Sequence, residues 1–349
     1  MALNFDLLKR LSEVPGVAGH EDAVRALVIE EMRPLVDEVS VDALGNVVGL
    51  KRGRGQRRVM IAAHMDEIGF LVRYVDDKGF VRIHPVGGFD ARVLQAQRVI
   101  VHAADGQKLP GTLTPAAKPI HLLAGEKLET PKIEEYFVDL GLPGERVKSL
   151  VEVGDMITLD RTCERVGENV VGKALDDRAG VFIMLESLRR LGAHEADVLA
   201  VATVQEEVGL RGAQTSSFHL EPHVGIALDV TLALDIPGRS ADEAVSRLGA
   251  GVTIGLMNSS VISNPKLARH LREIAKREGI KHQLEIMPRG GTDAGTMQRS
   301  RGGIPAITLS TPTRYIHTVN EMVSAADIES GIALLAKFLE EAHAGEYTL

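Results

Sequence analysis

Five residues able to bind divalent cations lie along the chain in the order His, Asp, Glu, Asp, His. They are His64 in IAAHMDEIGF, Asp176 in GKALDDRAG, Glu207 in VQEEVGL, Asp229 in IALDVT and His317 in YIHTVNE. Four of the five follow an apolar run, so each of those is expected where a buried strand ends. The set suits two divalent ions that share one carboxylate, each ion taking one histidine and one further acid besides. One such His or Asp is ordinary; five in this order are hard to obtain from packing alone.

The neighbours of these residues add to the chemistry. Asp66 follows His64 by two, and residues i and i+2 of an extended segment share a face. A carboxylate there can accept the other imidazole N–H, fixing the tautomer and raising the basicity of the ring; a polar surface pair is the plainer alternative. Asp176-Asp177 opens a helix, so both capping and ligation are expected, with Asp177 near the cap and Asp176 as the bridging carboxylate. Glu206-Glu207 ends an apolar strand just before Gly209, a poor place for two charges unless a cation waits. One of the pair can bind metal while the other serves as general base toward water; the alternative is a solvated acidic turn. Asp229 closes the run VGIAL, where an acid is also a common turn residue. GGTDAG at Gly290 to Gly295 lacks the Lys-Ser/Thr of a phosphate loop, and its acid would repel phosphate. Asp293 is therefore held as a substrate-contact or supporting candidate, a glycine-dependent turn being the simpler reading. His84, His102, His121, His194, His219, His223 and His282 have no comparable neighbours and read as structural or surface residues.

The elements that must position these groups can be read from periodicity. Phe5, Leu8 and Leu11 fall at helical spacing up to Pro15-Gly16, and Val24, Leu27, Val28 and Met32 form a second stripe up to Pro34. VSVDALGNVVGLKRG alternates as a hairpin with Gly45-Asn46 near its turn. Val59 to Ala63 is a short buried strand ending at His64. From Gly69 to about Glu164 strand-like segments recur between hairpin turns at 76–79 and Asp105-Gly106, together with the Pro-rich stretch LPGTLTPAAKPI and a charged segment from Lys127 to Glu135. Beyond it strands and helices alternate: a helix from Asp177 to Leu191, the strand DVLAVATV, a helix from Gly212 to Leu220, the strand VGIALDV, a helix from Asn264-Pro265 to Lys276, a strand from Ile304 to Leu309, and a closing helix from Ala325 to Ala342. The expected fold is α/β: an open, mostly parallel sheet flanked by helices, with a small inserted all-β domain. Residues 1–68 and 166–349 form the catalytic unit and 69–165 the insert. Ligands of such sheets gather at the carboxyl ends of strands.

Composition narrows the function. The chain has 349 residues, 44% of them hydrophobic, only 3% aromatic and none Trp, so the core is aliphatic. A formal charge of −8 argues against a general nucleic-acid binder. The single cysteine, Cys163, excludes an intrachain disulfide framework. The N-terminal stretch carries charges throughout and is not read as a signal peptide, and no apolar run is long enough for a membrane span. A cytoplasmic protein with no membrane partner is expected.

Taken together, the order H-x-D, D-D, E-E, D, H resembles the co-catalytic dinuclear metallopeptidase clan. The longest gap between ligands, His64 to Asp176, holds the β-rich unit. That placement resembles the M42 family of aminopeptidases, the tetrahedral TET-type enzymes, over nearly the whole chain, including the ending YIHTVNEMVSAADIESGIALL. Thr318 stands where the family more often has Ser, a departure that leaves ligation intact. The resemblance implies that Asp176 bridges two metals, that His64 and Asp229 complete one site and Glu207 and His317 the other, that Glu206 is the general base and that Asp66 orients His64. It also implies a cis peptide between Asp176 and Asp177. The function implied is removal of N-terminal residues from peptides through a hydroxide bridging two ions, Zn or Co first, with Mn also suited to the ligands. It further implies a dimer made through the insert and a twelve-subunit assembly; exposed strand edges on the insert would need such cover. The alternatives are a deacylase or dipeptidase of the same clan, disfavoured by the position of the insert, and a non-catalytic assembly subunit, disfavoured by the intact ligand set. A glycosidase would leave both histidines idle.

Overall fold

The computed structural model describes residues 3–122, 129–240 and 243–349. The start of the expected charged segment, Lys127 and the residue after it, lies outside the described residues.

An eleven-stranded sheet carries the candidate ligands. Its centre is parallel: Asp197–Thr203, Arg58–His64, Val224–Leu232 and Ala306–Arg314 lie side by side in that order. Both margins are antiparallel. Glu38–Val41 and Val47–Lys51 form the expected hairpin on one side, with Val41 opposite Val47. Glu321–Ser324, Asn169–Gly172 and Glu164–Val166 lie on the other. The central strands are apolar on both faces because both faces are covered. Val59, Ile61 and Ala63 join a core with the helices Phe5–Glu13, Asp22–Met32, Leu175–Arg190 and Ala325–Glu341. The alternate residues Met60 and Ala62 pack with Ala294, Met297 and Leu220 of the opposite layer.

Two strands run further at their carboxyl ends than expected, and one of them shapes the site. The strand read as VGIALDV, with Asp229 closing its apolar run, continues from Val224 to Leu232. Its pairing with Arg58–His64 nevertheless stops at Ala227 opposite Ala62, while its other edge remains paired with Asp229 opposite Ser310. Asp229 thus lies mid-strand beside a half-open edge. The strand expected over 304–309 likewise runs as Ala306–Arg314.

The strands Gly69–Val75, Val81–Val86, Tyr136–Asp139, Lys108–Pro115, Gln97–His102 and Met156–Leu159 close into a barrel around Phe70, Val72, Val99, Val101, Leu113, Val138 and Ile157. Asp76 Oδ1 fixes the first hairpin by accepting from the amides of Lys78 and Phe80 at 2.9 and 2.9 Å. Closure corrects one inference: a closed barrel has no free edges, so edge cover gives no reason for a partner here. Among the described residues no helix is long and apolar enough to cross a membrane.

Candidate metal centre

The carboxyl ends of the central strands and the turns beyond them bring the candidates together. His64 is the last residue of its strand and 2% exposed. Asp176 and Asp177 open the helix Leu175–Arg190 with non-helical backbone angles and a cis peptide bond between them. Asp177 acts as the expected cap, accepting from the Gly180 amide at 3.0 Å. Glu206 and Glu207 occupy the turn after Asp197–Thr203, and His317, at φ 63°, the turn after Ala306–Arg314. His64 Nε2 lies 3.1 Å from Asp176 Oδ1. His317 Nε2 lies 3.3 Å from Asp176 Oδ2 and 3.3 Å from Glu207 Oε1. Two groups of potential ligand atoms result, each with its atoms within 4.8 Å of one another: His64, Asp176 and Asp229 in one, Asp176, Glu207 and His317 in the other. Asp176 is common to both.

The donor chemistry fits divalent cations. His64 Nδ1 lies 3.1 Å from the carbonyl oxygen of Asp66. A carbonyl only accepts, so this contact assigns the ring proton to Nδ1. The lone pair of Nε2 then faces a carboxylate oxygen, which is unfavourable unless a cation or a second proton lies between them. Electrostatics agree. Burial opposes charge on His64, yet the Asp176 and Asp66 carboxylates hold it well above the usual imidazole range. Burial likewise opposes charge on His317, which Asp176 and Glu207 push up to about 12. Burial, followed by repulsion from neighbouring acids, drives Glu206 and Asp229 well above the carboxylate range. Among the described residues the ion pairs of Asp176 and Glu207 are with histidines alone, and Glu206 and Asp229 form none. Buried and half-buried imidazoles and acids that lack a Lys or Arg counter-charge form the donor set of a metal site.

The surrounding hydrogen bonds hold these groups from behind. The Asp66 carboxylate stands 3.6 Å from His64 Nδ1, too far for a hydrogen bond. It instead accepts the amides of Glu206 at 3.0 Å and Glu207 at 3.1 Å. The backbone of Asp66 therefore orients the imidazole, while its side chain fixes the Glu206-Glu207 turn. Glu321 was not singled out from the sequence, although it lies four residues after His317. It is 2% exposed and accepts the amides of Asp176 at 3.0 Å and His317 at 2.8 Å; burial and then the Asp176 charge push it up to about 8. Asp293 accepts from Thr203 Oγ1 at 2.6 Å, and its Oδ1 is buried without a partner. Burial pushes it up to about 6.

A second buried network ties the two halves of the site together. Glu67 accepts from Lys173 Nζ at 2.6 Å and from the Gly16 amide at 3.1 Å, and Arg178 Nη2 lies 3.8 Å from it. Glu67 follows the His64 strand, while Lys173 and Arg178 flank Asp176-Asp177. Removing one partner of a buried charge network strands the others, so Glu67→Ala is expected to lower folding stability by about 3–5 kcal/mol, read from denaturant midpoints. A much smaller loss would show Lys173 shedding its proton instead, since burial already lowers its pKa.

Above these groups lies a cavity of about 800 Å³, lined by the candidate ligands, by Glu206, and by Gly88, Phe89, Asp90 and Val93 from the chain that forms the barrel. The approach is close: a Cβ on Gly88 would stand 3.4 Å from His317 Nδ1, and one on Gly87, at φ +87°, 3.4 Å from Glu207 Oε2. No sequence signal pointed to this contribution.

The chain is similar to known proteins in sequence and in fold. The sequence profile described as M42 glutamyl aminopeptidase matches residues 45–334. The lysyl aminopeptidase of Pyrococcus furiosus is 37% identical over 99% of this chain and 99% of its own length. The structure of an aminopeptidase from the archaeon Desulfurococcus kamchatkensis superposes with a TM-score of 0.93 at 40% identity, covering 96% of this chain and 94% of that one. The TET1 peptidase of Pyrococcus horikoshii, described as able to assemble into a tetrahedron or a large octahedral shell, gives a TM-score of 0.86 at 32% identity over 97% of this chain and 99% of that one.

Proposed function

Because the chain belongs to the M42 glutamyl aminopeptidase family, we propose that it removes N-terminal residues from peptides with two divalent ions, one held by His64, Asp176 and Asp229, the other by Asp176, Glu207 and His317. One observation carries this reading: the two oxygens of Asp176 face two different histidines, at 3.1 and 3.3 Å. Zn or Co, with Mn also compatible with these ligands, would acidify a water and polarise the scissile carbonyl when bound there.

The chain's own residues supply the rest. Glu206 lines the cavity, and its carboxylate makes no hydrogen bond or ion pair among the described residues, which leaves it free to take a proton from the attacking water and return it to the leaving amine. Asp66 holds Glu206 in place through its amide. Glu321 fixes the backbone of Asp176 and His317 together. The remaining acids of the site favour a free α-amine on the substrate, which enforces exopeptidase action. Self-association, as a dimer or a dodecamer, is part of the same reading and is supported by the assembly named for the Pyrococcus horikoshii relative.

Chelator-stripped protein is expected to be inactive toward a panel of aminoacyl-p-nitroanilides and to regain activity with Zn²⁺, Co²⁺ or Mn²⁺, on free-amine substrates only. Hydrolysis of the N-acetylated panel would instead indicate a deacylase. Failure to bind metal would overturn the proposal.

A further inference from the structure

Glu21 is a buried carboxylate that does not serve its own helix. It stands at the N-cap of Asp22–Met32, yet its side chain makes no capping bond there. It is 2% exposed. Its one ion-pair partner among the described residues, Arg25, lies 3.9 Å from it, too far for a hydrogen bond. Arg25 is engaged elsewhere, donating from Nε to the Gly45 carbonyl at 2.8 Å and from Nη1 to Asp22. Glu21 Oε1 instead accepts two amides, that of Gly19 at 2.7 Å and that of Gln205 at 3.3 Å. The second contact joins positions 184 apart and reaches the residue just before Glu206-Glu207.

The turn at Gln205 needs such help. The strand Asp197–Thr203 loses one neighbour after Ala202, opposite Val47, and the other after Thr203, opposite His64. The four amides that follow have no strand partner, and each is taken by a side chain. Asn46 Oδ1 accepts that of Val204 at 3.0 Å and Glu21 that of Gln205. Asp66 accepts those of Glu206 and Glu207 at 3.0 and 3.1 Å. Gln205 also has φ +55°, left-handed backbone that a residue with a Cβ holds only when its surroundings impose it. That angle sets the direction in which the chain leaves the strand, and with it where the Glu206 carboxylate points.

We propose that Glu21 is a positioning residue that locks Gln205 in its left-handed conformation and thereby aims Glu206 into the cavity. The inference rests on the aminopeptidase reading above, in which Glu206 is the base.

Glu21→Asp separates this role from a structural one. Aspartate keeps the charge and is able to cap its own helix, but it falls one C–C bond, about 1.5 Å, short of Gln205. The denaturant midpoint is therefore expected to change little. On metal-loaded protein, kcat for a cleaved p-nitroanilide should fall about 10- to 100-fold, the effect of a reacting group displaced by roughly an ångström, with KM little changed. Glu21→Gln keeps the length and an acceptor oxygen and should preserve most of kcat. Gln205→Gly, added to Glu21→Asp, should recover activity, because glycine holds a positive φ unaided. A kcat close to wild type in Glu21→Asp would overturn the proposal. So would a loss that Gln205→Gly does not recover, or a failure of Glu21→Asp to fold, which would make the residue structural. If the wild-type protein cleaves no free-amine substrate, the aminopeptidase reading itself has failed. Hydrogen exchange of the amides of residues 204–207 still decides Glu21. Protection that survives Glu21→Gln and is lost in Glu21→Asp supports the proposal, and any other pattern overturns it.

Discussion

Glu206→Gln is expected to lower peptide hydrolysis by between about a hundredfold and ten-thousandfold, the usual contribution of a positioned general base, while leaving both metals bound. The amide keeps the shape of the side chain and loses only its capacity to accept a proton. Glu206 belongs to neither of the two ligand groups, and its side chain makes no hydrogen bond or ion pair among the described residues, so the substitution leaves no partner behind. Its backbone stays in place because the Asp66 carboxylate holds the amide rather than the side chain. Stability should therefore be unchanged or slightly higher, since one buried acid among several is neutralised. The measurement is kcat/KM on a cleaved p-nitroanilide beside metal content by elemental analysis of the same preparation. Activity within a few-fold of wild type would remove Glu206 from the role of base. Loss of a metal together with activity would make it a ligand.

Why some of this site was legible and some not follows from the range of the interactions. His64 and Glu207 stood out because an apolar run that ends in a charge is a local pattern, and in a parallel sheet that end is where ligands collect. Asp229 carried the same signal for a different reason. Its strand does not end there; one neighbour runs out at Ala227 and leaves the edge half open, a fact about pairing that one segment cannot reveal. Glu321 gave no signal because its role is purely tertiary. Antiparallel pairing sets it opposite Gly172, a few residues before Asp176, and only that register lets one carboxylate hold the amides of Asp176 and His317. Asp66 was recognised by spacing, but its two oxygens serve amides far along the chain. The barrel strands were readable from alternation and turns. Their closure depends on Gln97–His102 pairing with Met156–Leu159, and Gly87 and Gly88 reach Glu207 and His317 from the segment after Val81–Val86, contacts between distant parts of the chain that no local pattern shows.

Asp176→Asn offers the sharpest test of the shared carboxylate, with an effect at least as large. In wild type the two oxygens of Asp176 lie toward His64 and His317, so the side chain is the only one common to both ligand groups. Asparagine retains the size, and the backbone amide can still donate to Glu321, but one oxygen becomes an NH₂ that cannot ligate and the negative charge is lost. Loss of a supporting residue behind a ligand typically weakens metal binding by about 10- to 100-fold, and loss of a shared ligand should exceed that at both positions together. His317→Ala is the control. It removes a donor from one group only, leaving His64, Asp176 and Asp229 intact, and should reduce bound metal from two ions to one. Metal titration of both variants therefore distinguishes a bridging acid from an ordinary one. If Asp176→Asn loses a single ion and behaves like His317→Ala, Asp176 serves one metal and the dinuclear reading fails. If it loses both while the control loses one, the two sites share a single carboxylate.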